Sequence, residues 1–110
     1  MNKDHPKYRA QYAVIFPNQR SPDDPDGYAD TAARMVELVV QQPGCLGFDS
    51  ARDAQGFGIT VSYWDGLESI AGWRDNPEHM AAQVKGRDVW YDHYDLYITK
   101  IEHSHFFSRK

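Results

Sequence analysis

Between Trp73 and Arg87 the chain gathers side chains suited to proton transfer and hydrogen bonding: His79, with Asn76, Gln83 and Arg87 close to it in sequence. An unperturbed imidazole titrates at about 6.5, so His79 can take a proton at neutral pH. Asn76 and Gln83 bring amide donors and acceptors, and Arg87 brings a permanent positive charge. Trp73 stands near the end of one helical run, Asn76 just before the break at Pro77, and His79 at the start of the next run, with Gln83 one turn further on. Each also has a plain structural role. Trp73 can fill a core, His79 can cap or tether the short helix after Pro77, and Arg87, following the helix-ending Gly86, can pair with Asp88 or Asp92.

Other reactive residue types carry less. His93, His103 and His105 share one face if the run from Tyr91 is a strand, but a metal would need a further ligand from elsewhere, so no metal site is expected. The lone Cys45 can form neither an internal disulfide nor a cysteine-based metal site, and reads as a small strand or turn residue.

A chain of 110 residues allows one domain. Its 15 aromatic residues nearly equal its 16 valines, isoleucines and leucines, so rings must build much of the core. A net charge of −4 with no lysine or arginine run argues against nucleic acid as a partner. No apolar run is long enough to span a membrane, and the polar start from Met1 to Pro6 does not read as a signal peptide, which predicts a cytoplasmic protein.

The elements that must position these residues follow from periodicity and breakers. Alternation from Tyr8 to Phe16 predicts a strand that Pro17 ends. Asp24 before Pro25 predicts the cap of a helix that carries Tyr28, Ala32, Met35, Val36 and Val39 and closes at Pro43-Gly44. Leu46 to Arg52 and Phe57 to Trp64 read as a hairpin. Asp65-Gly66 opens a helix to Trp73, a second piece carries Met80, Ala81 and Val84 and stops at Gly86, and Tyr91 to Phe107 reads as one long strand. The order β-α-β-β-α-β is that of ferredoxin-like α+β folds, an antiparallel sheet with helices on one face. The bare, ring-rich face predicts a homodimer with sheets packed face to face.

The segments Pro43-Gly44-Cys45-Leu46-Gly47-Phe48, Ser62-Tyr63-Trp64-Asp65, Trp73-Arg74-Asp75-Asn76-Pro77-Glu78-His79 and Trp90-Tyr91 resemble the antibiotic biosynthesis monooxygenase family over nearly the whole chain. The resemblance implies a single domain over residues 8–107, with tails at 1–7 and 108–110, and two copies forming a dimeric α/β barrel. It also implies a pocket in each subunit between sheet and helices. In the cofactor-free members a base deprotonates an electron-rich phenol, a donor stabilises the resulting oxyanion, and aromatic side chains form the wall. On that pattern His79, Asn76 and Arg87 are the catalytic candidates, and Trp73, Trp64, Tyr63, Gln83 and Trp90 the substrate-binding ones.

The activity so implied is a cofactor-independent monooxygenase for a small phenolic or quinol substrate, with no cofactor expected. Its alternatives are a non-catalytic ligand-binding or structural dimer and a heme-degrading relative. Heme-degrading members carry a histidine ten residues after the helix tryptophan and an asparagine on the first strand. Here Gln83 holds the first position, and the strand from Tyr8 to Phe16 contains no asparagine.

Overall fold

A computed structural model describes residues 5–109. The first four positions of the expected N-terminal tail, and Lys110 at the other end, lie outside the described residues. Strand β1 (Tyr12–Arg20) is followed by helix α1 (Pro25–Val39), the hairpin β2 (Cys45–Arg52) and β3 (Phe57–Trp64), helices α2 (Leu67–Arg74) and α3 (Pro77–Lys85), and the short strands β4 (Tyr91–Tyr94) and β5 (Tyr97–Lys100). All pairings are antiparallel, in the order β2-β3-β1-β4, with β5 pairing the same edge of β1 as β4. This is the expected ferredoxin-like α+β arrangement, and the sheet does not close on itself.

Local chemistry explains most boundaries. Asp24 accepts the Gly27 N–H at the start of α1, with Pro25 in the first turn, and Asn76 plays the same part for α3 ahead of Pro77. Gly44, at φ 84°, turns the chain where any side chain would collide with Ser69 and Asp65, and its carbonyl accepts the Asp65 N–H at 3.0 Å. That contact ties the entrance of β2 to the start of α2.

Two expectations at the sheet edge fail for one reason. Pro17 does not end β1, which runs on to Arg20, and Tyr91 to Phe107 is not one strand. Within an extended residue the N and O point to the same side, and Pro17 O accepts the Asp95 N–H at 3.0 Å. Proline therefore lacks its donor on the side facing the last strand, where Asp95 and Leu96 interrupt the pairing between Tyr94 opposite Asn18 and Tyr97 opposite Ile15. Past Lys100 no strand continues, so His103 and His105 do not share a strand face with His93. At the other end Tyr8 belongs to a 3-10 turn, Pro6–Arg9, that His5 caps through Nδ1 on the Lys7 N–H. Gly86 likewise does not stop the helical path: Gly86–Trp90 continues it as one π-type turn.

The core lies on one sheet face. Trp64, fully buried, packs with Val39 of α1 and Ile70 of α2, and Tyr12, Val14, Cys45, Phe48 and Trp73 close around them. By alternation Phe57, Ile59, Val61 and Tyr63 lie on the opposite face beside Ala13, Ile15 and Pro17. Phe57, Ile59 and Tyr97 on that face are exposed.

Candidate active site

Four of the site candidates, Trp73, Asn76, His79 and Gln83, meet at the junction of α2 and α3. α2 ends at Arg74, and Asn76 starts α3 by accepting the backbone N–H groups of Glu78 and His79 at 3.0 and 3.2 Å. The new helix folds back so that the imidazole of His79 lies flat on the indole of Trp73, with centroids 4.0 Å apart and planes 11° apart. His79 Nδ1 is 2.8 Å from the Trp73 carbonyl oxygen. A carbonyl only accepts, so the proton sits on Nδ1 and the lone pair of the neutral ring on Nε2. Burial pushes the pKa of His79 below its ordinary value, partly offset by the bond to the Trp73 carbonyl. The half-buried ring is therefore neutral, and basic at Nε2, at neutral pH. Gln83, one turn on, donates through Nε2 to the Arg74 carbonyl at 2.9 Å.

On α3 Met80 and Val84 are each 50% exposed, and so is Ile98, which pairs with Val14 and so shares the helix-bearing face. The closest backbone neighbours of α3 are α2 and the turn after Lys85 rather than a strand. None of Trp73, Asn76, His79 and Gln83 lines either of the two cavities described below, and what the cluster offers a phenol is the basic nitrogen of His79.

Trp73, Asn76, His79 and Gln83 are thus brought together. The remaining candidates are elsewhere. Trp64 is the centre of the core, its Nε1–H donating to Ser62 Oγ at 2.8 Å. Trp90 is 5% exposed, donates to Asp24 Oδ2 at 3.1 Å, and borders a groove of about 530 Å³ between α1 and α3. Arg34 crosses that groove in a bidentate pair with Glu78, at 2.9 and 3.0 Å. Arg87 is exposed on the π-type turn. Tyr63, on the helix-free face, donates to Asp49 Oδ2 at 2.8 Å, and burial with that carboxylate pushes its phenol up to about 12. Lys7 completes this group with an ion pair to Asp49 at 3.1 Å, borders a second cavity of about 340 Å³, and carries no sequence signal for a partner 42 residues away.

One residue was missed because Pro17 reads as a strand end. Asn18 lies within β1, 1% exposed, donating to the Phe16 carbonyl while its Oδ1 is buried with no hydrogen-bond partner. The first strand therefore does contain an asparagine, which removes one of the two departures from the heme-degrading pattern; Gln83 in place of histidine remains. Cys45 is half-buried and burial raises its thiol, the state of an unreactive cysteine. Among the described residues no three His, Cys, Asp or Glu side chains converge as a metal site.

The family model described as antibiotic biosynthesis monooxygenase matches residues 12–85, from the first residue of β1 to the last of α3. The chain belongs to the antibiotic biosynthesis monooxygenase family. That match takes in the Trp73, Asn76, His79 and Gln83 cluster and stops short of Arg87 and Trp90. The uncharacterized protein YqjZ of Bacillus subtilis is 50% identical over 96 residues, covering 87% of this chain and 83% of its own. The jasmonate monooxygenase ABM of Pyricularia oryzae is 27% identical over 94 residues, 82% of this chain and 43% of its own, so this chain spans less than half of that enzyme. The crystal structure of Rv0793 from Mycobacterium tuberculosis superposes with a TM-score of 0.75 at 14% identity, over 86% of this chain and 98% of that one. At that identity the likeness concerns the fold alone.

Proposed function

We propose that the chain is a cofactor-independent monooxygenase that acts, as a cytoplasmic homodimer, on a small phenolic or quinol substrate. The placement of His79 against Trp73 carries this reading, because the Trp73 carbonyl takes the Nδ1 proton and burial favours the neutral ring, leaving Nε2 as its basic atom. His79 takes the hydroxyl proton through Nε2, and the electron-rich anion then meets oxygen directly. For an anthrone, one oxygen atom becomes the new ring carbonyl. The other leaves as water with the two methylene hydrogens, and the substrate supplies all four electrons. Trp73, Met80 and Val84 form the apolar wall. Asn76, whose amide oxygen is spent on capping α3, acts by holding His79 in place.

The dimer is supported by Phe57, Ile59 and Tyr97, exposed on a sheet face that carries no helix. The location is supported by composition and by the absence, among the described residues, of any helix long and apolar enough to cross a membrane.

Oxygen uptake on a panel of hydroxylated anthrones and naphthols tests the activity. Wild type is expected to consume oxygen with at least one of them, and His79→Ala to be slower by about 10²-fold or more. Equal rates in the two proteins would remove His79 from the mechanism. No uptake with any substrate would favour a ligand-binding dimer.

A further inference from the structure

The last two residues of α2, Trp73 and Arg74, have backbone carbonyls at the helix end, where intrahelical donors become few; Trp73 O accepts the Asn76 N–H at 3.1 Å. Each receives a side-chain N–H from α3: Trp73 O from His79 Nδ1 at 2.8 Å, and Arg74 O from Gln83 Nε2 at 2.9 Å. The two donors are themselves only 3.3 Å apart. His79 Nδ1 therefore stands between a carbonyl that can only accept and an amide nitrogen that can only donate. The carbonyl is the nearer and sets the tautomer. The amide is held in place by its own bond to Arg74 O, so its NH2 end, rather than its oxygen, faces the ring.

We propose that Gln83 is a positioning residue for His79, whose anchored amide turns its positive NH2 end to the ring and so disfavours the imidazolium, while the Trp73 carbonyl holds the proton on Nδ1 and leaves the basic lone pair on Nε2. This rests on the reading of His79 as the base, but acts in the free protein as well. A protonated ring would keep its bond to Trp73 O, yet it would bring positive charge against the positive end of the Gln83 amide. Among the described residues, burial and the Trp73 carbonyl rather than a charged side chain shift the proton affinity of His79. Those nearest in sequence are engaged elsewhere, Glu78 with Arg34 of α1 and Arg74 with Asp75. From α2 the ring stacks on the Trp73 indole and bonds the Trp73 carbonyl, and from α3 Gln83 Nε2 stands 3.3 Å from Nδ1.

Nitrogen-15 NMR of the imidazoles in the ligand-free protein tests this, with His79 assigned by the signal lost in His79→Gln. In wild type, His79 is expected as the Nδ1–H tautomer. Gln83→Glu, nearly isosteric, places a carboxylate where the amide stood and is expected to raise the His79 midpoint by about one pH unit or more. Gln83→Met keeps the length, removes the donor, and is expected to move the midpoint up by less, which keeps the test available if the glutamate variant does not fold. An Nε2–H tautomer in wild type, or an unchanged midpoint in the folded variants, would overturn the proposal. With an active substrate, the acid limb of kcat/KM is expected to move with the midpoint. Failure of oxygen uptake with the NMR result intact would fall on the monooxygenase reading alone.

Discussion

The indole Nε1–H of Trp90 donates to Asp24 Oδ2 at 3.1 Å, across 66 residues of chain, while Oδ1 of the same carboxylate accepts the Gly27 N–H at 3.3 Å. One side chain thus caps α1 and satisfies a buried indole, and Asp24 holds a left-handed backbone, φ 50°, to do so. Asp24→Ala is expected to lose the cap, about 1 kcal/mol, and to strand the indole N–H, about 1–3 kcal/mol. Urea unfolding measures the sum. A change under about 0.5 kcal/mol would show that neither contact matters.

His79 ties stability to pH. Its proton affinity is lowered in the folded state, so its contribution is present above the unfolded value of about 6.5 and is lost as pH falls through the lower folded value. Unfolding midpoints measured on the acid side of neutrality should fall more steeply for wild type than for His79→Gln. Parallel curves would contradict the lowered affinity.

At Asn76 the capping oxygen serves two N–H groups, one of them that of His79. Asn76→Ala is expected to cost about 1 kcal/mol and to loosen the His79 ring from Trp73, whereas Asn76→Asp should retain both bonds. Tryptophan fluorescence of the Trp73 and His79 pair, compared between the two variants, reads the second effect. Identical spectra in both would separate the cap from the stack.

The sheet face without helices predicts an oligomer that one charge can break. Ile59→Lys places an ammonium in the middle of the exposed strip with Phe57 and Tyr97, and is expected to weaken self-association at least 100-fold. Sedimentation equilibrium at micromolar concentration reads this directly. A monomeric wild type would refute the homodimer, and an unchanged dimer in Ile59→Lys would place its interface elsewhere.

Tyr63 reports on the same face. Its phenol is raised to about 12, so the neutral form is favoured in the folded state, and the stability it lends is present below about 10 and lost as pH rises towards 12. Phenolate absorbance during alkaline titration should show one fewer late-titrating tyrosine in Tyr63→Phe. The same late step in both proteins would detach Tyr63 from Asp49.

Most elements could be read from the sequence because their signals are local. Asp24 before Pro25, the alternation from Phe57 to Trp64, and Asn76 before Pro77 act within one or two turns of chain, and the structure retains all three. The segment holding Trp73, Asn76, His79 and Gln83 was legible for the same reason, since spacing along two consecutive short helices limits where those side chains can go. The end of β1 was not legible. Whether Pro17 breaks a strand depends on which neighbour its missing N–H would face, and that neighbour, at Asp95, is 78 residues away. The same long-range pairing decided that Asn18 is a buried strand residue. Only tertiary packing could divide the three tryptophans, too: burial leaves Trp64 in the core, hydrogen bonding ties Trp90 to Asp24, and the fold-back of α3 lays His79 on Trp73. Sequence set which residues could do chemistry. The proton on Nδ1 was set by a backbone carbonyl, a group that every residue carries and that no sequence pattern singles out.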